Sequence, residues 1–154
     1  MKHLLSLLIP LLLLTSCEEK TRFALKEGTD VTNITWKNYY KSCGANNLKK
    51  VENFKIVKGT VVTWTGKVYQ VQKDAGAEEM RKFDSHIIRV KMPGSNSLMA
   101  DVTLRIPKGE QKHRKYKKGD YVTFRGPVKY LGSSMNDHIV EVERFKKVIP
   151  KVKF

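Results

Sequence analysis

The feature that most limits how this chain can fold is a change of period just after Gly59. From there apolar and polar residues alternate in five stretches, and a period of two sets successive side chains on opposite faces of a strand. The first stretch, residues 60–73 (TVVTWTGKVYQVQK), is long, carries Gly66 at an expected bend or bulge, and turns Trp64 toward the core. Residues 85–92 predict a second strand, with Ile88, Val90 and Met92 inward and Arg89 and Lys91 outward. Residues 99–106 predict a third, with Val102, Leu104 and Ile106 inward against Asp101, Thr103 and Arg105. A fourth spans 121–126, with Val122 and Phe124 inward. The fifth spans 137–148, with Val140 and Val142 inward and Glu141 and Glu143 outward. Between the second and third, MPGSNS (92–97) is turn chemistry throughout. The expected fold class is therefore mainly all-β: a small, partly open, five-stranded barrel of the oligonucleotide/oligosaccharide-binding (OB) type. A sandwich of similar strand count is the competing architecture.

Ahead of the strands, Trp36, Tyr39, Tyr40 and Cys43 recur at helical spacing and define one apolar face. Thr35 supplies an N-cap, and Gly44 stands where a left-handed residue ends a helix. The aromatic stripe is expected to dock this short N-terminal helix on the strands. The stretch from there to Gly59 reads as irregular.

The chain opens on Lys2 and His3, followed by an apolar run over residues 4–14 interrupted by Ser6 and Pro10. That run is shorter than the roughly 20 residues a membrane-spanning helix needs, and it matches the core of a signal peptide. It ends in Leu14-Thr15-Ser16-Cys17, which resembles the bacterial lipobox, in which the cysteine receives diacylglycerol. Residues 1–16 are expected to be a lipoprotein signal peptide, Cys17 the lipidated residue, and 17–31 a flexible tether. The alternative is an ordinary secretory signal that happens to precede a cysteine. Glu18 and Glu19 are not the aspartate of an inner-membrane retention signal, so the expected location is the cell envelope, in the outer membrane where the host has one. Residues 150–154 form a basic tail.

Without its first 16 residues the 154-residue chain retains about 138, enough for one domain with a real core. Its formal charge is +15, and about +14 once Lys2 leaves with the signal. A chain this basic is suited to acidic lipid, a polyanionic polymer or nucleic acid, unless the lysines serve solubility alone. Only two cysteines occur. With Cys17 lipidated, Cys43 has no intramolecular partner and is expected to be a buried apolar residue.

Catalytic groupings are scarce. His86, His113 and His138 lie in separate segments without metal-ligand spacing, and one spare cysteine makes a zinc site a poor fit. Glu78-Glu79 and Glu141/Glu143 read as solvated, Ser133-Ser134 lacks a nearby base, and no glycine-rich phosphate cradle occurs. The expectation is a non-enzymatic protein without cofactor or metal; a small hydrolase is the reading that converging acids or histidines would revive.

Thr35-Trp36, Tyr39 and Cys43-Gly44, followed by Val62-Thr63-Trp64-Thr65-Gly66, resemble the luminal OB-fold domain near the C-terminus of the wolframin family. The similarity continues through Phe83, Met92-Pro93, Asp101-Val102, Leu104-Arg105, Gly119 and Leu131-Gly132, and covers residues 34–147. It implies the barrel with a docked N-terminal helix over a domain at 32–149, and an interaction module rather than an enzyme. This chain departs in having no expected transmembrane helices, and in short loops after the first and third strands that lack the extra cysteines associated with that family.

In such barrels ligands lie across strands two and three, bordered by the loops joining strands one to two and four to five. Mapped here, the candidate ligand-binding residues are Arg89, Lys91 and Arg105, with Tyr69 nearby and loops at 75–83 and 131–137. A second cationic group, Lys108, Lys112, His113, Arg114, Lys115, Lys117 and Lys118, forms the densest charge run. It reads either as a solvated loop or as a contact with an anionic surface. The expected function is a membrane-anchored binding module for an anionic ligand or a protein partner. The alternatives are a single-strand nucleic-acid binder at the cell surface and a eukaryotic secreted protein glycosylated at Asn33.

Overall fold

The computed structural model describes residues 23–26, 28–72, 87–106, 115–133 and 135–149. The leader, Cys17, the loops at 73–86 and 107–114 (with Lys112 and Arg114) and the basic tail lie outside the described residues. Two helices, α1 (Trp36–Cys43) and α2 (Lys50–Val57), precede six strands. The strands are β1 (Val61–Gln72), β2 (Ile87–Lys91), β3 (Val102–Arg105), β4 (Tyr121–Tyr130), β5 (His138–Glu141) and β6 (Arg144–Val148).

The strands hydrogen-bond in the order β1-β2-β3-β5-β4-β6, and β1 also pairs with β4, so β1, β2, β3, β5 and β4 close a ring. All pairings are antiparallel except β3 with β5. β1 serves two neighbours because it is long: its first half lies along β4 and its second along β2. Gly66 sits at the changeover, where a Cβ would run into Val90 Cγ1. Inside the ring the alternating positions interdigitate, with Val62, Val68, Ile88, Val90, Val102, Leu104, Ile106, Val122, Phe124, Val128 and Val140 all buried. These side chains each contribute about 1.5–3 kcal/mol of transfer free energy.

α1 lies where its aromatic stripe predicts. Thr35 Oγ1 accepts from the Asn38 N–H, capping the helix, and Trp36, Tyr39 and Cys43 are buried. Tyr39 and Trp36 pack on Trp64 with ring centroids 5.0 and 5.3 Å away, and Trp64 Nε1 donates to the Ile34 carbonyl at 2.9 Å. Cys43 is a free buried thiol, pushed up to about 12 by loss of solvent.

Five expectations need correction. Gly44 is extended (φ −67°, ψ 162°), not left-handed; its N–H bonds to the Tyr40 carbonyl, and a Cβ there would strike the same oxygen. The stretch before Gly59 is not wholly irregular, since it holds α2, and Gly59 itself is the left-handed residue (φ +83°). The fourth strand continues past Gly126 to Tyr130. The predicted fifth strand is two, because the chain steps at Val142 and Glu143: the Val142 N–H turns to the Arg105 carbonyl and the Glu143 N–H to that of Arg125. Finally, the expected tether is docked from Phe23 onward. Asn47 and Asn53 side-chain amides both donate to the Phe23 carbonyl at 2.8 Å, Asn53 Oδ1 accepts the Leu25 N–H, and Leu25 and Val31 pack on the core.

Candidate binding face

Outward positions of β2, β3, β5 and the end of β4 form one surface. Register aligns Gln70, Arg89, Thr103, Ile139 and Tyr130 in a row across it. Its centre is Asp137, just before β5. Asp137 accepts two hydrogen bonds from Arg89, from Nε at 2.7 Å and an amino group at 3.0 Å, and a third from the Thr103 hydroxyl at 2.8 Å. This bidentate, largely buried pair holds the Arg89 guanidinium's pKa above its ordinary value, the hydrogen bond to Asp137 being the main cause. Arg89 is thus placed with its charge compensated.

The other two predicted cations on this face are also engaged. Lys91 donates to the Ser97 carbonyl. Arg105 lies 4.9 Å over the ring of Tyr130, which is 52% exposed. Tyr130 escaped the sequence reading because Gly126-Pro127 looks like the end of a strand. Glu141, the register partner of Arg105, pairs with Lys129 at 3.2 Å. The surface therefore combines positive, negative and aromatic groups, where cations with Tyr69 beside them were expected.

Tyr69 meets the described part of the basic run where β1 bulges against β2: Lys118 Nζ stands 5.7 Å from the Tyr69 ring. Lys115, Lys117 and Lys118 are exposed, while Asp120 accepts the Lys117 N–H and pairs with Lys147 at 2.8 Å. Tyr69 sits in the bulge between the Val68 and Gln70 pairings and acts on Arg89 electrostatically, so it links this basic run to the Arg89 end of the first surface, while Lys115, Lys117 and Lys118 lie away from Arg105 and Tyr130.

At one border of the first surface a cavity of about 230 Å³ opens between α1 and the loops at 93–100 and 131–137. Its lining includes Tyr40, Asn46, Asn96, Ser97 and Asn136, with the exposed Met99 and Met135 beside them. Two buried groups set its walls. Asp101, expected outward, turns in: its carboxylate accepts the Met92 N–H at 2.7 Å and the Ser95 hydroxyl, and burial raises its pKa. His138 Nδ1 accepts the Gly132 N–H at 2.8 Å, and it must then accept the Tyr39 hydroxyl as well, also at 2.8 Å. Burial lowers this imidazole to about 4. Both groups are fully committed to holding loops. Among the described residues no group of three or more His, Cys, Asp or Glu side chains converges as metal ligands.

Comparison with known protein families and with curated proteins finds no match to this chain.

Proposed function

We propose that this chain is a lipid-anchored cell-envelope protein whose strands form an OB-type barrel, a wolframin-like and non-enzymatic module that binds an anionic ligand or a protein partner. A five-strand ring with a long, glycine-bent first strand shared by two neighbours supports the barrel reading. The lipobox-like Leu14-Thr15-Ser16-Cys17 supports the anchor. The observation that carries the binding role is the pair Arg105 and Tyr130: a guanidinium over an exposed ring, in the region where such barrels receive ligands.

That ring also favours the second reading, a single-strand nucleic-acid binder, since it adds a stacking platform beside Arg105. The test is binding of the full chain to single-stranded DNA, acidic vesicles and envelope polysaccharides at low and physiological salt. A selective ligand that survives physiological salt and weakens about tenfold in Tyr130→Ala and Arg105→Ala supports the module, a tenfold loss being 1.4 kcal/mol. Indiscriminate binding that disappears with salt overturns it.

A further inference from the structure

The densest described charge on the sheet lies away from the Arg105 and Tyr130 face. β4 runs between β1 and β6, and register sets their outward residues in three rows: Thr63, Arg125, Arg144; Thr65, Thr123, Lys146; Lys67, Tyr121, Val148. Adjacent strands lie about 4.8 Å apart, so each row spans about 10 Å. At the centre the Thr65 and Thr123 hydroxyls are bonded to each other at 2.7 Å. Around it stand Lys67, Arg125, Arg144 and Lys146, all exposed, with Lys118 at the border over Tyr69. No acid occupies an outward position of these three strands; the two that flank them, Glu143 and Asp120, pair with Arg125 at 2.7 Å and with Lys147 at 2.8 Å. Ile149, directly after β6, is 85% exposed.

We infer that the β1-β4-β6 face docks on an acidic phospholipid surface, with Lys67, Arg144, Lys146 and Lys118 contacting headgroup phosphates and Ile149 entering the acyl boundary. The occupant follows from charge and composition. Exposed cations around a central hydroxyl pair, with no acid on the outward positions of the three strands, complement an array of phosphates. An exposed isoleucine beside lysines is the composition of an interfacial contact. In the ring β3 lies across from the seam between β1 and β4. Docking through that seam leaves Arg105, on β3, and Tyr130, beyond the Pro127 end of the β1–β4 register, outside the docked rows. The inference rests on the membrane-anchored reading only for its setting, since the face attracts acidic lipid with or without an anchor.

The test uses the full chain on phosphatidylcholine vesicles with and without phosphatidylglycerol, read by sedimentation and by acetylation of each lysine. The expected result is that phosphatidylglycerol protects Lys67, Lys118 and Lys146 while Lys49 and Lys55, exposed at α2, react as before. Salt abolishes that protection. A Lys67→Gln, Arg144→Gln, Lys146→Gln variant loses about a hundredfold in affinity for acidic vesicles, about fivefold per cation. All three positions are exposed, so the variant folds, and Lys49→Gln with Lys55→Gln, exposed at α2, changes neither readout. A chain that sediments only with acidic vesicles supports the docking face while refuting the anchor. Sedimentation with both vesicle types and no difference in acetylation overturns the face, as does protection by soluble polyphosphate without protection by vesicles.

Discussion

The buried imidazole of His138 makes stability depend on pH in a way that can be worked through. Its Nδ1 receives two donors, the Tyr39 hydroxyl and the Gly132 N–H, so a proton placed there would face both. Burial is the main cause that brings the group to about 4 from the ordinary 6.5; Lys50 lowers it further and Asp137 opposes. Because the folded value is the lower one, the unfolded chain takes up the proton first as pH falls. The stabilisation is complete above about pH 6.5, is lost between there and about pH 4, and changes no further below. At 1.36 kcal/mol for each unit, the loss is about 3 kcal/mol. Urea denaturation at pH 7, 5 and 4, followed by the fluorescence of Trp36 and Trp64, measures it on the native chain and on His138→Asn. Asparagine keeps an acceptor near Nδ1 and does not titrate, so the difference between the two proteins isolates His138 from the carboxylates they share. A pH slope that is the same in both would refute the reasoning.

Other perturbations separate the remaining contacts. Asp137→Ala strands the Arg89 guanidinium and the Thr103 hydroxyl, and should cost about 3 kcal/mol in urea denaturation. Gly126→Ala pushes a Cβ into the Glu141 carbonyl where the chain steps from β5 to β6, and should lower stability by about 3 kcal/mol in a thermal melt. Tyr39→Phe removes one donor to His138 and should cost about 1 kcal/mol while shifting the His138 titration upward by NMR. Cys43, with its thiol pushed up to about 12, should resist iodoacetamide at pH 8 in the folded chain and react once urea unfolds it.

The strands and α1 are legible in the sequence because burial there follows strict periods. α1 buries Trp36, Tyr39 and Cys43, and β1 alternates from Val62 through Val68. α2 is illegible because it breaks that rule. Its buried residues are Asn53 and Val57, while Val51 is 56% exposed, and Lys49 makes no side-chain cap. What holds it is Asn53, whose amide reaches the Phe23 and Ser42 carbonyls, a role no apolar pattern can announce. The candidate face was half legible. Arg89, Lys91 and Arg105 point outward as alternation requires, yet Asp137 and Tyr130, which decide what those cations do, sit beyond a glycine-proline pair and at a loop end.

The bond between Tyr39 and His138 joins positions 99 residues apart, and the bond from Trp64 to the Ile34 carbonyl spans 30. The first described helix is thus seated by the last strand but one of those described. Closing so long a loop costs entropy before any contact rewards it, so α1 is made well before the strand that seats it and is among the last described elements to settle. A chain emerging N-terminus first keeps its aromatic stripe without a berth until residue 138 has followed. Any transport step that needs an unfolded polypeptide therefore has nearly the whole length of the chain in which to act.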